Sequence, residues 1–118
     1  YKSKKRNPFL AQALTTDTSI LTAWSNDISF NEVFSRQIFA LSSLNGLSIG
    51  LSTSGSSLNV LYALKEAQKH KAKTVLISGS SAKSNPFVDL HIKFNSTDTP
   101  TIQILTQMFY HSVCEFLE

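Results

Sequence analysis

The sequence has little of what marks a disulfide-bonded, membrane-spanning or secreted protein. Its 118 residues include one cysteine, Cys114, which excludes an internal disulfide and fits the reducing cytosol. No apolar run approaches the 18 or so residues that a membrane-spanning helix needs, so we expect no membrane span. The first residues are charged but no apolar segment follows them, so we expect no secretory signal. The length allows one domain with a single core.

Charge is also scarce, and most of the excess lies at one end. Charged residues make up 16% of the chain, against the roughly 25% typical of soluble domains. The 11 basic and 8 acidic residues give a net charge of +3, but four of the basic ones are Lys2, Lys4, Lys5 and Arg6. The rest of the chain has 7 basic and 8 acidic residues, a net charge of −1. A nucleic-acid binder carries its basic charge on the folded domain, so we expect no nucleic-acid partner and a solvated N-terminal loop.

The spacing of hydrophobic residues predicts an α/β domain. Strands are predicted at Leu10–Leu14, Leu47–Leu51, Lys73–Ser78 and Leu90–Phe94. Helices are predicted at Asp17–Trp24, 30–44, Leu58–His70 and 101–117, with Asn45-Gly46 ending the second and Thr99-Pro100 starting the last. Strands and helices alternate in this order in parallel sheets with right-handed crossovers. We expect the strand at 47–51 to be buried in such a sheet.

Hydroxyl side chains supply the polarity that charge does not, and they concentrate in one loop. Serine and threonine occupy 28 of the 118 positions. The run Ser52–Ser57 (STSGSS) lies where a predicted parallel strand ends and a helix begins, which is where open α/β sheets bind ligands. A helix start offers unpaired N–H groups and a positive dipole end. The Walker pattern of nucleotide-binding loops is absent, so the loop predicts a site for a phosphate monoester on a small molecule. The alternative is an ordinary polar turn in which Ser57 caps the helix.

This loop resembles the sugar-phosphate-binding loop of sugar isomerase (SIS) domains. Three further segments narrow the resemblance to the phosphoheptose isomerases: LTTDTSILTAWSND (14–27), FNEVFSRQ (30–37) and TDTPTIQ (97–103). The resemblance continues into the last helix and covers nearly the whole chain. It implies a three-layer, flavodoxin-like α/β fold with a mostly parallel sheet, of which residues 1–118 form a part.

The resemblance also implies an activity. Phosphoheptose isomerases are aldose–ketose isomerases that convert sedoheptulose 7-phosphate to D-glycero-D-manno-heptose 7-phosphate, for ADP-heptose and surface polysaccharide. It further implies a cytoplasmic homotetramer with sites at subunit contacts and a divalent metal, often zinc. The residues that it implies hold the phosphate are Ser52, Thr53, Ser54 and Ser57.

The remaining implied site residues lie on two helices. Asn26 and Asp27 are implied to bind sugar hydroxyls, Gln103 to contact substrate and metal, and His111 to be a metal ligand or acid–base group. Gln103 and His111 are eight residues apart, about 12 Å along a helix and about 80° around it. Both residues can bind the same ion only if their side chains extend toward each other. The alternative is that they belong to two different sites or act from different subunits.

Other parts of the family's site are not in this sequence. The family has a glutamate, a further histidine and a GNGGSA-type loop before the TTDTS segment, together with a first core strand and its helix. The chain also starts without methionine, so we expect it to be part of a longer protein. Two alternatives to the enzyme are a non-catalytic SIS protein that binds a replication initiator and a truncated paralogue that only binds sugar phosphate. His111 favours the enzyme, because the initiator-binding proteins lack it.

Several residues also have simpler interpretations without the resemblance. On an apolar helix His111 would be a partly buried packing residue, and Asn26-Asp27 would end a helix. Cys114 is predicted to be a buried small apolar residue. His91 is interpreted as an ordinary strand residue and Trp24 as a packing residue.

Overall fold

A computed structural model describes residues 7–41 and 46–118, an α/β domain. In chain order its elements are α1 (Thr18–Asp27), a 3₁₀ turn (Phe30–Glu32), α2 (Val33–Ala40), β1 (Leu47–Leu51), α3 (Leu58–Lys69), β2 (Lys73–Gly79), β3 (Leu90–Phe94) and α4 (Thr99–Leu117). No helix in these two ranges is both long and apolar enough to cross a membrane. The α/β class predicted from the sequence is confirmed.

The three strands form one parallel sheet in the order β1-β2-β3. Ile49 on β1 is in register with Val75 on β2, and Ile77 on β2 is in register with Ile92 on β3. All three strands therefore end at the same edge of the sheet, and the loops that follow them meet there. This edge carries the Ser52–Ser57 loop.

Helices cover the two faces of the sheet unequally. On one face α3 packs so closely on β1 that a Cβ at Gly50 would lie 2.6 Å from Val60 Cγ1, and α2 packs against α3. On the other face α4 packs against β2 through Ile102, which is 2% exposed. The buried hydrophobic residues are Val33, Ala63, Leu64, Ala67, Leu76, Ile77, Ala82 and Ile102. This arrangement is the predicted three-layer sandwich.

Two aspartates start the first and last helices. The Asp17 carboxylate accepts hydrogen bonds from the N–H groups of Ser19 and Ile20 at 3.0 and 3.2 Å. The Asp98 carboxylate accepts one from the Thr101 N–H at 3.0 Å. Each satisfies N–H groups that have no partner inside the helix. Pro100 is the second residue of α4 rather than the predicted first, and there too a missing N–H removes no helical bond.

Two predicted elements differ from the structure. Leu10–Leu14 forms no strand, and Leu10 is 86% exposed. A strand needs a neighbour to bond its backbone, and the described sheet holds β1, β2 and β3 alone. The predicted helix over 30–44 begins as a 3₁₀ turn and is α-helical from Val33 to Ala40. Its predicted continuation to 44 and the Asn45 cap lie outside the described residues, as does the basic segment 1–6.

The face of β1 on the α4 side is uncovered, contrary to the predicted burial of this strand. Leu47, Ile49 and Leu51 are each more than half exposed, because α4 packs against β2 and, through Phe109, against Phe94 of β3. The second half of α4 is also exposed, including Phe116. Cys114 lies on this half and is exposed, so its predicted burial is wrong.

Candidate functional site

The Ser52–Ser57 loop is fastened to the carboxyl end of β2 by backbone hydrogen bonds. The Ser52 N–H donates to the Ile77 carbonyl at 3.0 Å, and the Gly79 N–H donates to the Thr53 carbonyl at 2.9 Å. Within the loop the Gly55 N–H donates to the Ser52 carbonyl at 2.9 Å. The strand beside the loop therefore holds its backbone, and two hydroxyls of the loop add to this by accepting from the N–H groups of Ser56 and Ser57.

The serine hydroxyls of the loop form two pairs. Ser52 Oγ lies 2.8 Å from Ser57 Oγ, and Ser54 Oγ lies 2.8 Å from Ser56 Oγ. Ser52 is buried, Ser57 is half-buried and Ser54 is exposed. The loop thus presents hydroxyls at several depths, all close to the start of α3.

The start of α3 keeps N–H groups available to a ligand. Ser57 is the N-cap residue by position, but its side chain makes no capping hydrogen bond and is paired with Ser52 instead. In the part of the chain that the structure describes, the N–H groups of Leu58 and Asn59 have no protein acceptor. Such groups at the positive end of a helix dipole bind anions. The geometry therefore favours the phosphate interpretation over the ordinary capped turn.

Gly55 lets the loop pass close to the segment after β2. Its φ is +67°, a conformation that residues with a side chain rarely adopt. A Cβ at this position would lie 2.2 Å from Ala82 Cβ. Lys93 Nζ donates to the carbonyl of the same Ala82 at 2.6 Å, so a cation stands beside the loop.

Asn26 and Asp27 lie together at the end of α1. Asn26 Nδ2 donates to Asp27 Oδ1 at 2.8 Å, and both side chains are exposed. Their helix packs against α2 and the 3₁₀ turn. Across the described residues no hydrogen bond joins this pair to the serine loop. The predicted role of the two residues in binding sugar hydroxyls stays a prediction.

Gln103 follows Ile102, the residue through which α4 contacts the end of β2 beside the loop. A Cβ at Gly79 would lie 2.5 Å from Ile102 Cδ1 and 3.0 Å from the Thr53 carbonyl oxygen, so the first turn of α4 adjoins the loop. Gln103 is exposed in this turn. His111 is also exposed and lies against the Tyr110 ring, with centroids 4.8 Å apart. The packing interpretation of His111 does not hold for this chain.

The donor atoms of the described residues do not by themselves fit a zinc centre. Zinc takes three or four ligands in tetrahedral geometry, and Gln103 and His111 are two donors about 12 Å apart along one helix. No cluster of three or more histidine, cysteine, aspartate or glutamate side chains in residues 7–41 and 46–118 could hold a metal. The predicted zinc therefore stays a prediction that needs ligands from elsewhere.

One pair of polar residues near the loop escaped the sequence reasoning. His91 Nε2 lies 2.8 Å from the Oγ of Ser78, which is completely buried at the end of β2. The pKa of His91 lies below its usual value because of burial and, second, the charge of Lys93. His91 is in register with Leu76, so the alternation of side chains places it on the same face of the sheet as Ser78. The alternation can be read from the sequence, but the register that brings His91 close to Ser78 cannot.

A second feature lies away from the loop. The Arg36 guanidinium stands over the Trp24 ring, 5.0 Å from its centroid, at an open surface pocket that Glu32 and Glu66 also line. This contact agrees with the interpretation of Trp24 as a packing residue.

Comparison with known proteins identifies relatives along the whole chain. No protein-family model matches it. A phosphoheptose isomerase of Aliarcobacter butzleri is 43% identical over 119 residues, covering all of this chain and 62% of that protein. One from Geobacter sulfurreducens is 42% identical over 115 residues, covering 97% of this chain and 61% of that protein. The chain therefore spans about three-fifths of the length of the curated relatives it matches.

Solved structures of phosphoheptose isomerases share the fold. The one from Francisella tularensis superposes with a TM-score of 0.85 at 29% identity, over 93% of this chain and 60% of that one. The one from Neisseria gonorrhoeae gives a TM-score of 0.79 at 34% identity, over 91% of this chain and 61% of that one. The chain is thus a homologue of the phosphoheptose isomerases over about three-fifths of their length.

Proposed function

We propose that the protein containing this chain is a phosphoheptose isomerase that interconverts sedoheptulose 7-phosphate and D-glycero-D-manno-heptose 7-phosphate. The observation that carries the proposal is the serine loop, whose hydroxyls and free N–H groups converge at the start of α3. The names and identities of the relatives support the same activity. The chain would then be part of one SIS domain.

The loop is suited to hold the phosphate end of such a substrate. Ser52, Thr53, Ser54 and Ser57 would donate hydroxyls, and Leu58 and Asn59 would donate N–H groups. These donors carry no charge of their own. They would nevertheless bind a dianion, because the positive end of the α3 dipole supplies part of the counter-charge. The phosphate lies at the far end of a seven-carbon chain from the reacting carbons. The loop would therefore orient the substrate, and its binding energy would position C1 and C2 for reaction.

Isomerisation moves a carbonyl between C1 and C2 through an enediol. It needs a base for the carbon-bound proton and an acid for the oxygens. His111 would serve in one of these roles, because one imidazole nitrogen can donate a proton and the other can accept one. Gln103 and the Asn26–Asp27 pair would hydrogen-bond sugar oxygens. The carboxylate base that the family resemblance implies would come from the part of the protein that precedes this chain.

A divalent metal, zinc by the family resemblance, would polarise the substrate oxygens if it binds. Because the donors in this chain alone do not complete its site, no step of the reaction is derived through it. Gln103 or His111 would contribute a ligand to a site that other segments or subunits complete.

We also propose a cytoplasmic homotetramer. Unpartnered apolar side chains on the exposed half of α4 support subunit contacts there: Met108, Val113, Phe116 and Leu117 are all at least 38% exposed. The single cysteine is compatible with a reducing compartment.

Turnover of the full-length protein is the direct test. With sedoheptulose 7-phosphate, formation of the aldose phosphate is expected, measured by chromatography or a coupled assay with added zinc and with a chelator. His111→Ala is expected to lower kcat by at least 100-fold, the scale of a lost acid–base group. No turnover under either condition would contradict the proposal and leave a protein that only binds sugar phosphate.

Binding of phosphate by the loop is tested separately. Ser54→Ala removes one hydroxyl from an exposed position and is expected to weaken binding of a sugar phosphate about three- to tenfold, since one hydrogen bond is lost. Thermal unfolding is expected to be unchanged. Thr22→Ala, which removes an exposed hydroxyl on α1, is the control and should leave affinity unchanged. Equal affinity of the Ser54→Ala variant and the unsubstituted protein would argue against the loop.

A further inference from the structure

Ser78 lies beneath the serine loop at the point where three loop residues rest on β2. Its neighbours Ile77 and Gly79 form the two backbone hydrogen bonds to Ser52 and Thr53. A Cβ at Gly55 would lie 3.6 Å from Ser78 Cβ, so the buried Ser78 side chain is directly below that glycine. A change in the position of Ser78 would therefore move the loop.

The surroundings of Ser78 and His91 favour one direction for the hydrogen bond between them. Ser78 Oγ donates its single proton to the Gly79 carbonyl at 3.0 Å. With its proton on that carbonyl, Ser78 Oγ accepts from His91 Nε2, which lies 2.8 Å away. The opposite direction would leave the imidazole proton on Nδ1, which is buried and has no partner among the described residues. His91 therefore carries its proton on Nε2, and Nδ1 is the unprotonated nitrogen.

The other nitrogen of His91 indicates that this residue is held in a neutral state. His91 Nδ1 is buried and has no hydrogen-bond partner within the described chain. A proton there would be a buried, unpaired donor, which is costly. Lys93, two residues along the same strand and on the same face, adds a repulsive charge. A leucine would fill this position without an orphaned nitrogen, so packing alone does not account for the histidine.

We propose that His91 is a positioning residue for the serine loop. It donates Nε2–H to Ser78 and thereby fixes the end of β2 on which Ser52, Thr53 and Gly55 rest. His91 itself does not reach the ligand. The inference deepens the proposed function, since it rests on the loop as the phosphate site.

The test compares substitutions of His91 that keep or remove the donor. Glutamine places an amide N–H near the position of Nε2, whereas asparagine is too short to reach Ser78 and leucine has no donor. In the full-length protein, His91→Leu and His91→Asn are expected to raise KM for sedoheptulose 7-phosphate about three- to tenfold, the loss of one hydrogen bond, with kcat within about twofold. His91→Gln is expected to retain the KM of the unsubstituted protein. His70→Leu, which changes a histidine on the far end of α3, is the control.

A titration with inorganic phosphate separates this inference from the proposed activity. The same variants are expected to show the same order of Kd, with His91→Gln near the unsubstituted protein. If that protein binds phosphate but does not turn over the sugar, the activity fails and the titration still tests His91. Equal Kd and KM for all variants would overturn the inference, as would a His91→Gln variant as weak as His91→Asn. If His91→Leu does not fold, the comparison of glutamine with asparagine decides.

Discussion

Gly55 is the residue on which the shape of the serine loop depends most. Its positive φ and its closeness to Ala82 are two independent reasons against a side chain. The hydroxyls around it, by contrast, are paired with one another and lie at different depths. The backbone shape of the loop therefore depends on Gly55, whereas the proposed binding of phosphate is shared among several hydroxyl residues.

Gly55→Ala is expected to destabilise the protein by at least about 1–2 kcal/mol, the cost of a left-handed conformation for a residue with a side chain. The contact with Ala82 adds to this cost, because neighbouring atoms must shift. Gly46→Ala is the matched control, since a Cβ there meets nothing within 4 Å. Denaturant unfolding of both variants measures the difference, and equal stabilities would contradict the geometry.

At the scale of elements, the N-terminal half of α4 holds this helix to the rest of the domain. Its N-terminal half packs on the sheet, where Phe109 meets Phe94 with ring centroids 6.4 Å apart, whereas residues 110–118 are all exposed. Asp98 starts the helix by accepting from both the hydroxyl and the N–H of Thr101. These two bonds stabilise the carboxylate and lower the pKa of Asp98 from its usual 3.8.

The stability contributed by Asp98 is expected to depend on pH. Because its pKa is lower in the folded state, the contribution is fully present above about pH 4 and is lost as pH falls through the folded value. Asp98→Ala should therefore lower Tm more at pH 7 than at pH 3. Thermal unfolding at the two pH values measures this, and a pH-independent difference would mean that the charge of Asp98 plays no part.

At the scale of the whole molecule, the β1 edge of the sheet is covered on one face only. Leu64 of α3 is 1% exposed between the sheet and α2, while Leu47 of β1 is 61% exposed on the opposite face. The two faces differ because α4 covers β2 and β3 and leaves β1 bare. A leucine is therefore expected to contribute much more to stability at position 64 than at position 47.

Leu64→Ala is expected to cost about 2–5 kcal/mol in the 118-residue chain, and Leu47→Ala less than about 1 kcal/mol. Chemical denaturation of the two variants measures this contrast. Repeating it in the full-length protein tests whether another segment covers this face of β1. If a segment covers β1, the cost of Leu47→Ala should approach that of Leu64→Ala; equal costs already in the 118-residue chain would contradict the described packing.

The sequence by itself determined the order of the elements from α1 to α4 and the place of the serine loop. Periodic apolar residues, Asp17, and Thr99-Pro100 are local signals, and local backbone preferences decide where helices and strands start. The STSGSS run identified the loop for the same reason, since all of its residues are neighbours in sequence.

Only the tertiary structure decided what each element packs against and which residues support the loop. Leu10–Leu14 has the composition of a strand but no neighbour to bond, and the apolar side chains of β1 have no layer above them. His91 and Ser78 are 13 residues apart and meet only because β2 and β3 are paired in a particular register. Burial and hydrogen bonding depend on partners distant in sequence, and no local pattern specifies those partners.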